Sequence, residues 1–169
     1  AHRPKPRHIL RPHPDRRPPQ LDQSRRERRS GRCRDRLQEL GLPIICVLDA
    51  DPWGHYIYSV IKQGSISLAF ESSRLAIPEA KFLGIRAKDY TECDLGDAVK
   101  IDLTENDIKR AKEIAAYPWF TDHRGWQKEI DLMLRNGFKM EVEAMINKGI
   151  SYVSETYVPQ RLKAKDWLD

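Results

Sequence analysis

Apolar and polar positions divide this chain into a short buried strand, a helix, a second strand and a helical C-terminal half. The clearest stretch is Leu42-Pro43-Ile44-Ile45-Cys46-Val47-Leu48, seven residues without a charge. It is too short to cross a membrane and the right length for a strand covered on both faces. After Gly54 the residues Ile57, Val60 and Ile61 fall on one helical stripe that Gly64 closes. Tyr56 and Tyr58 flank that stripe and read as partly buried supports rather than base-stacking platforms. Residues 65–76 fit a strand or a short helix equally well. Beyond Pro78, Lys81-Phe82-Leu83-Gly84-Ile85 predicts a second buried strand and, with the first, a βαβ unit.

Farther on, Val99, Ile101 and Leu103 mark a short edge strand. Thr104 is placed to cap a helix carrying Ile108, Ala111, Ile114 and Ala115, with Glu105 and Asp107 in its first turn. Pro118-Trp119-Phe120 reads as an aromatic plug. A helix with Trp126, Ile130, Met133 and Leu134 closes near Gly137, and another with Val142, Met145 and Ile146 stops at Gly149. Tyr152, Val153 and Tyr157 predict a last helical segment ending at Pro159. The fold class is therefore α/β, a parallel sheet flanked by helices.

Composition changes this picture at one end. Residues 1–40 hold 13 Lys+Arg against 5 Asp+Glu, whereas residues 41–169 hold 17 against 20, so the net charge of +5 belongs to the N-terminal segment. Residues 1–35 also carry six of the eleven prolines and no aromatic side chain. Such a segment cannot bury enough surface to offset chain ordering, so it is expected to be a disordered, Arg/Pro-rich tail before a domain of residues 36–169. As a basic arm it could neutralise phosphates; as a solvated tail it would do nothing. Cys33, Cys46 and Cys93 form no CxxC or CxxH spacing, which speaks against structural zinc and for a reducing compartment. Neither a signal peptide nor a membrane span is recognisable, so a soluble cytoplasmic chain is expected.

Candidate chemistry collects just past the first strand. Asp49 and Asp51 stand at spacing two, which in extended chain places both carboxylates on one side, where open α/β sheets bind ligands. Two like charges held together call for a cation, a shared proton or full hydration, and Mg²⁺ suits one or two carboxylates completed by water and phosphate oxygens. The same residues also fit an acidic turn opening a helix, with Pro52 at its first position. GxGxxG, Walker A, GxSxG and HExxH patterns do not occur, and His55 and His123 stand alone.

Asp49-Ala50-Asp51-Pro52-Trp53-Gly54, followed by Tyr56-Ile57-Tyr58-Ser59-Val60-Ile61-Lys62-Gln63-Gly64-Ser65, resembles the A subunit of DNA topoisomerase VI and the related meiotic double-strand-break proteins. The resemblance continues through Leu75-Ala76-Ile77-Pro78-Glu79-Ala80-Lys81-Phe82-Leu83-Gly84, Leu103-Thr104-Glu105-Asn106-Asp107-Ile108-Lys109-Arg110-Ala111 and Tyr157-Val158-Pro159, from about Arg36 to the C-terminus. It implies a Toprim domain whose acidic cluster, a glutamate on an earlier strand plus the Asp-x-Asp pair, holds Mg²⁺. Asp49 and Asp51 match the pair; no glutamate-bearing strand is recognisable before residue 36.

The resemblance further implies an ATP-dependent type II topoisomerase, in which a tyrosine on a winged-helix domain attacks DNA. The A subunits form homodimers and work with an ATP-hydrolysing B subunit. Tyr56, Tyr58, Tyr90, Tyr117, Tyr152 and Tyr157 all fall in the Toprim-like region, so none inherits the nucleophile's role, and the fragment is expected to be inactive alone. Residues 1–35 are expected to be foreign to the fold, as if read from a shifted frame, and the origin implied is archaeal. Two further readings stand beside this one. One is a DNA-binding and dimerisation module without catalysis. The other is a haloacid-dehalogenase-like phosphatase with Asp49 as nucleophile and Asp51 as acid/base.

Overall fold

A parallel pair of strands, β1 (Ile45–Cys46) and β2 (Lys81–Phe82), forms the centre of the molecule, joined by the helix α1 (Pro52–Gln63) that follows β1. The computed structural model describes residues 40–64 and 76–169. The expected tail at 1–35 and all but the last residue of the ambiguous segment 65–76 lie outside the described residues. The regular ladder is short, but its hydrogen bonds reach further: Ile44, Cys46 and Leu48 carbonyls accept from Lys81, Leu83 and Ile85 at 2.9–3.1 Å. The parallel βαβ unit predicted from the two apolar runs is therefore present.

Side chains leave this pair in both directions, as the period of two requires. Ile44, Cys46, Leu48 and Phe82 pack into one core with Tyr58, Ile114, Phe120, Trp126, Ile130 and Met133. Ile45, Leu83 and Ile85 pack into a second with Met140, Met145, Val99 and Tyr157. Coverage on both faces matches the expectation, although Leu42 and Val47 remain exposed. The first core is aromatic. Trp126 stacks on Tyr58 with centroids 5.1 Å apart and meets Phe82 edge-on at 4.9 Å. The plug reading of Pro118-Trp119-Phe120 holds, since Phe120 is fully buried against Trp126.

Along α1 the stripe differs from the predicted one. The residues turned inward are His55, Tyr58 and Ser59, while Ile57 is 47% exposed. Tyr58 is thus a core residue rather than a flanking support. Its hydroxyl donates to the Ala80 carbonyl at 2.8 Å, which satisfies the polar end of the ring inside the core. His55 is also fully buried.

After a short helix α2 (Asp89–Glu92), β3 (Ile101–Asp102) pairs antiparallel with β4 (Phe138–Lys139). Between them lie α3 (Glu105–Ala115), α4 (Pro118–Asp122) and α5 (Arg124–Asn136). Thr104 caps α3 as predicted, in a capping box closed by Asp107. The C-terminal region departs from expectation in three places. β4 has no counterpart among the predicted elements. Val142–Lys148 is a 3-10 segment instead of an α-helix. The chain also does not stop at Pro159: a π-turn at Val153–Tyr157 runs into α6 (Val158–Ala164), where Pro159 occupies the first turn, the one place in a helix that needs no backbone N–H.

Charge ties the ends of this region together. Arg161 on α6 pairs with Asp89, Glu92 and Asp166, and Arg86 reaches Asp166 at 2.8 Å. Asp89 is fully buried, accepting as well from the Tyr157 hydroxyl at 2.6 Å and the Arg86 backbone N–H at 2.8 Å.

Candidate metal centre

The strand β1 delivers the backbone to Asp49, Ala50 and Asp51 at its carboxyl end, and each then meets a different structural demand. Asp51 is extended (φ −143°, ψ 166°) and is the N-cap of α1, its Oδ1 accepting the Gly54 N–H at 2.5 Å. Pro52 follows in the first turn. The acidic-turn reading of this motif is therefore correct for Asp51. It does not displace the metal reading, because the cap uses one carboxylate oxygen. Asp49 Oδ1 accepts the Val142 N–H at 2.7 Å, which likewise leaves its second oxygen without a hydrogen bond among the described residues.

Gly54 makes this geometry possible. A β-carbon there would stand 2.5 Å from the Asp49 carbonyl oxygen and 3.1 Å from Asp51 Oδ1. Gly84 does the same on the neighbouring strand: its β-carbon would lie 2.1 Å from the Leu48 carbonyl oxygen. The two glycines let α1 and β2 close on the strand tip from two sides.

Sequence reasoning missed the residues that complete the surroundings. Ala50 forms an isolated antiparallel bridge with Met140, through bonds of 2.9 and 3.2 Å. Continuing that register sets Lys139 across from Asp51 and Glu141 across from Asp49. Lys139 Nζ lies 2.9 Å from Asp107 Oδ2. Nothing in the spacing of Asp51, Asp107 and Lys139 announces this meeting, because a bridge between residues ninety apart has no local signature. Thr104 and Asp107 were legible only as a helix start.

Electrostatics follow from the placement. Burial pushes the Asp51 carboxyl above its ordinary value, and the charges of Asp49 and Asp107 add to the rise; the Gly54 N–H and the Lys139 ammonium oppose it. Burial acts in the same sense on Asp107, but hydrogen bonds from Lys139 and Thr104 outweigh it and hold that carboxyl below the usual range. The charge of Asp49 thus acts on the Asp51 carboxyl.

The donor set fits a hard divalent cation with a largely hydrated shell: two carboxylates at a partly exposed strand tip, each with one oxygen that accepts no hydrogen bond among the described residues. Among the described residues no three or more histidine, cysteine, aspartate or glutamate side chains converge on one point. His55 and His123 do not contribute. His55 lies in the aromatic core, and the His123 ring nitrogen Nδ1 meets the Trp119 carbonyl. The tyrosines are occupied elsewhere: Tyr58 and Tyr157 hydroxyls donate inside the cores, Tyr90 bonds Asp97, Tyr117 bonds Arg110, Arg110 covers the Tyr56 ring at 4.1 Å, and Tyr152 packs against the second core.

The family model for the Toprim domain of Spo11 and the topoisomerase 6 A subunit matches residues 31–162. The chain belongs to that family. This Toprim chain is 43% identical over 141 residues to the type 2 DNA topoisomerase 6 A subunit of Aeropyrum pernix, covering 78% of itself and 36% of that protein. It is 42% identical over 142 residues to the protein of the same name from Hyperthermus butylicus, with the same shares covered. Similarity extends to plants: the DNA topoisomerase 6 A subunit of Arabidopsis thaliana is 35% identical over 130 residues, 77% of this chain and 30% of that one. The chain therefore spans about a third of the length of these relatives. Membership in a Toprim family retires the phosphatase reading of the aspartate pair. Among the described residues, no helix of this Toprim chain is long and apolar enough to cross a membrane.

Proposed function

We propose that this chain is the Mg²⁺- and DNA-binding Toprim portion of a type IIB topoisomerase A subunit. Asp49 and Asp51 would hold the cation through their free carboxylate oxygens, and DNA phosphate and water would complete its shell. The observation that carries this reading is the pair itself, two mutually repelling carboxylates at the tip of β1 whose remaining oxygens are already fixed by the Gly54 and Val142 N–H groups. When bound, the metal would orient a phosphodiester and neutralise charge on it. The protein's own contribution is to hold the two carboxylates in place before the metal arrives, so that little ordering remains to be done.

The nucleophilic tyrosine would come from a winged-helix domain elsewhere in the full-length protein. The six tyrosines of residues 56–157 serve packing and hydrogen bonding. A further acidic ligand would come from an earlier strand, and the edge of β1 is suited to it. Ile45 and Val47 direct their backbone groups away from β2, and among the described residues no strand pairs with them there. The partners this reading implies are ATP-hydrolysing B subunits and a second copy of the A subunit, with the complex working on the chromosome in the cytoplasm of an archaeon. The isolated 169-residue chain would bind DNA and metal weakly and cleave nothing.

Titrating Mg²⁺ into the chain, and into Asp49→Asn and Asp51→Asn, tests the site. Weak binding by the wild type, lost in both variants, is expected. Identical curves for all three would remove the metal site and leave a DNA-binding and dimerisation module.

A further inference from the structure

The bridge that brings Met140 to Ala50 also delivers a positive charge to the carboxylates. Lys139 sits one residue before the bridge and Asp51 one residue after it, so an antiparallel register sets them opposite each other. The lysine is nevertheless held by another partner. Asp107 Oδ2 accepts Lys139 Nζ at 2.9 Å, and the same oxygen accepts the Thr104 backbone N–H at 3.0 Å and hydroxyl at 2.8 Å. The capping box at the start of α3 thus anchors Asp107, and Asp107 anchors the ammonium. Both side chains are well covered, Lys139 at 20% and Asp107 at 5% exposure, so the pair is partly shielded from bulk screening.

We propose that Lys139 is the resident counter-cation of the Asp49–Asp51 pair, held to one side by Asp107, and that it sets how tightly the pair takes up a divalent cation. This inference rests on reading the pair as a metal site. Without metal, the ammonium offsets the repulsion between the two carboxylates. With metal, it repels the incoming ion, and Asp107 keeps it from closing on Asp51. The two residues therefore act in opposite directions. Removing the lysine's charge tightens metal binding. Removing the charge of Asp107 frees the lysine to pair with Asp51 and weakens binding.

The experiment is calorimetric titration of Mg²⁺ and Mn²⁺ into the 169-residue chain at fixed ionic strength. The variants are Lys139→Gln, Lys139→Arg, Asp107→Asn and Asp49→Asn. Lys139→Gln should tighten binding about three- to tenfold, the range expected for one charge acting on a divalent ion across a partly aqueous gap. Lys139→Arg should stay within about twofold of wild type, and Asp107→Asn should weaken binding by a factor similar to the Lys139→Gln gain. The Lys139→Gln gain should also shrink as KCl is raised.

A purely structural role for the Lys139–Asp107 pair predicts weakening in both Lys139→Gln and Asp107→Asn, and that pattern overturns the proposal. If Asp49→Asn abolishes binding while Lys139→Gln leaves it unchanged, the metal site stands and this inference falls. If wild type and Asp49→Asn bind alike, both fall. Should Lys139→Gln fail to fold, Asp107→Asn decides: binding at or above wild-type strength overturns the proposal.

Discussion

A β-carbon on Gly54 would stand 2.5 Å from the carbonyl oxygen of Asp49, closer than real β-carbons approach any heavy atom. The obstacle is backbone, which cannot rotate away like a side chain. The first turn of α1 therefore lies directly on the strand tip because position 54 lacks a side chain, and the Gly54 N–H can then reach Asp51. Gly54→Ala should lower stability by about 1–3 kcal/mol, the usual cost of overpacking, and should weaken metal binding as well. Thermal melts and metal titration of the same preparation read both effects. A variant as stable as wild type would show that α1 can withdraw from the tip.

Asp51 caps α1, and under the proposed function it also holds the cation; substitution can separate the two roles. Asparagine caps helices about as well as aspartate, so Asp51→Asn should keep stability within a few tenths of a kcal/mol while losing the cation. Asp51→Ala should lose the cation and about 1 kcal/mol of stability together. Urea midpoints distinguish the two variants. Equal stability in both would mean that the bond to Gly54 contributes nothing to the fold.

Glu129 is 6% exposed, its carboxylate accepting the Ala87 N–H, and burial raises its pKa from 4.5 to about 7. The folded chain then holds a proton that the unfolded chain releases, so stability should fall as pH rises from about 4.5 to 7. The full effect is about 3 kcal/mol. Glu129→Gln keeps an acceptor for Ala87 without the charge. It should be more stable than wild type at pH 8 and similar to it at pH 4.5, as measured by denaturant unfolding at both values.

His55 works in the opposite sense. Its ring is fully buried beside Phe82 and Trp126, neither nitrogen has a hydrogen-bond partner among the described residues, and burial lowers its pKa from 6.5 to about 3. The unfolded chain takes up a proton that the fold excludes, so stability should decline as pH falls from about 6.5 to 3, by up to about 5 kcal/mol. His55→Leu should flatten that region of the stability profile relative to wild type. Parallel profiles for the two proteins would show that this ring is protonated inside the fold.

Arg161 is, among the described residues, the side chain of α6 that reaches the fully buried Asp89. Arg161→Met should cost about 3–5 kcal/mol, because it leaves a buried carboxylate without its counter-charge. Adding Asp89→Asn should recover a large share of the loss. A double variant no more stable than the single one would place the cost in packing of α6 rather than in the unpaired charge.

Local pattern was enough to locate the strand pair, the start of α3, the end of α5 and the two aspartates. An uncharged run such as Leu42–Leu48, a Thr-x-x-Asp cap and an Asp-x-Asp spacing each carry their meaning within a few residues. The Toprim family was legible for the same reason, in contiguous blocks, and residues 31–162 match it. What faces what was not. Helical periodicity places Ile57 and Tyr58 on adjacent stripes, and only the aromatic core around Trp126 decides that Tyr58 is the one buried. Nor can a two-residue strand such as β4 announce itself, because its partners are set by a bridge to Ala50 and by β3. Sequence alone therefore determined that two aspartates follow the first strand at spacing two. Tertiary structure decided which charges surround them, since Lys139 and Asp107 arrive from elements close to them in space and far from them along the chain.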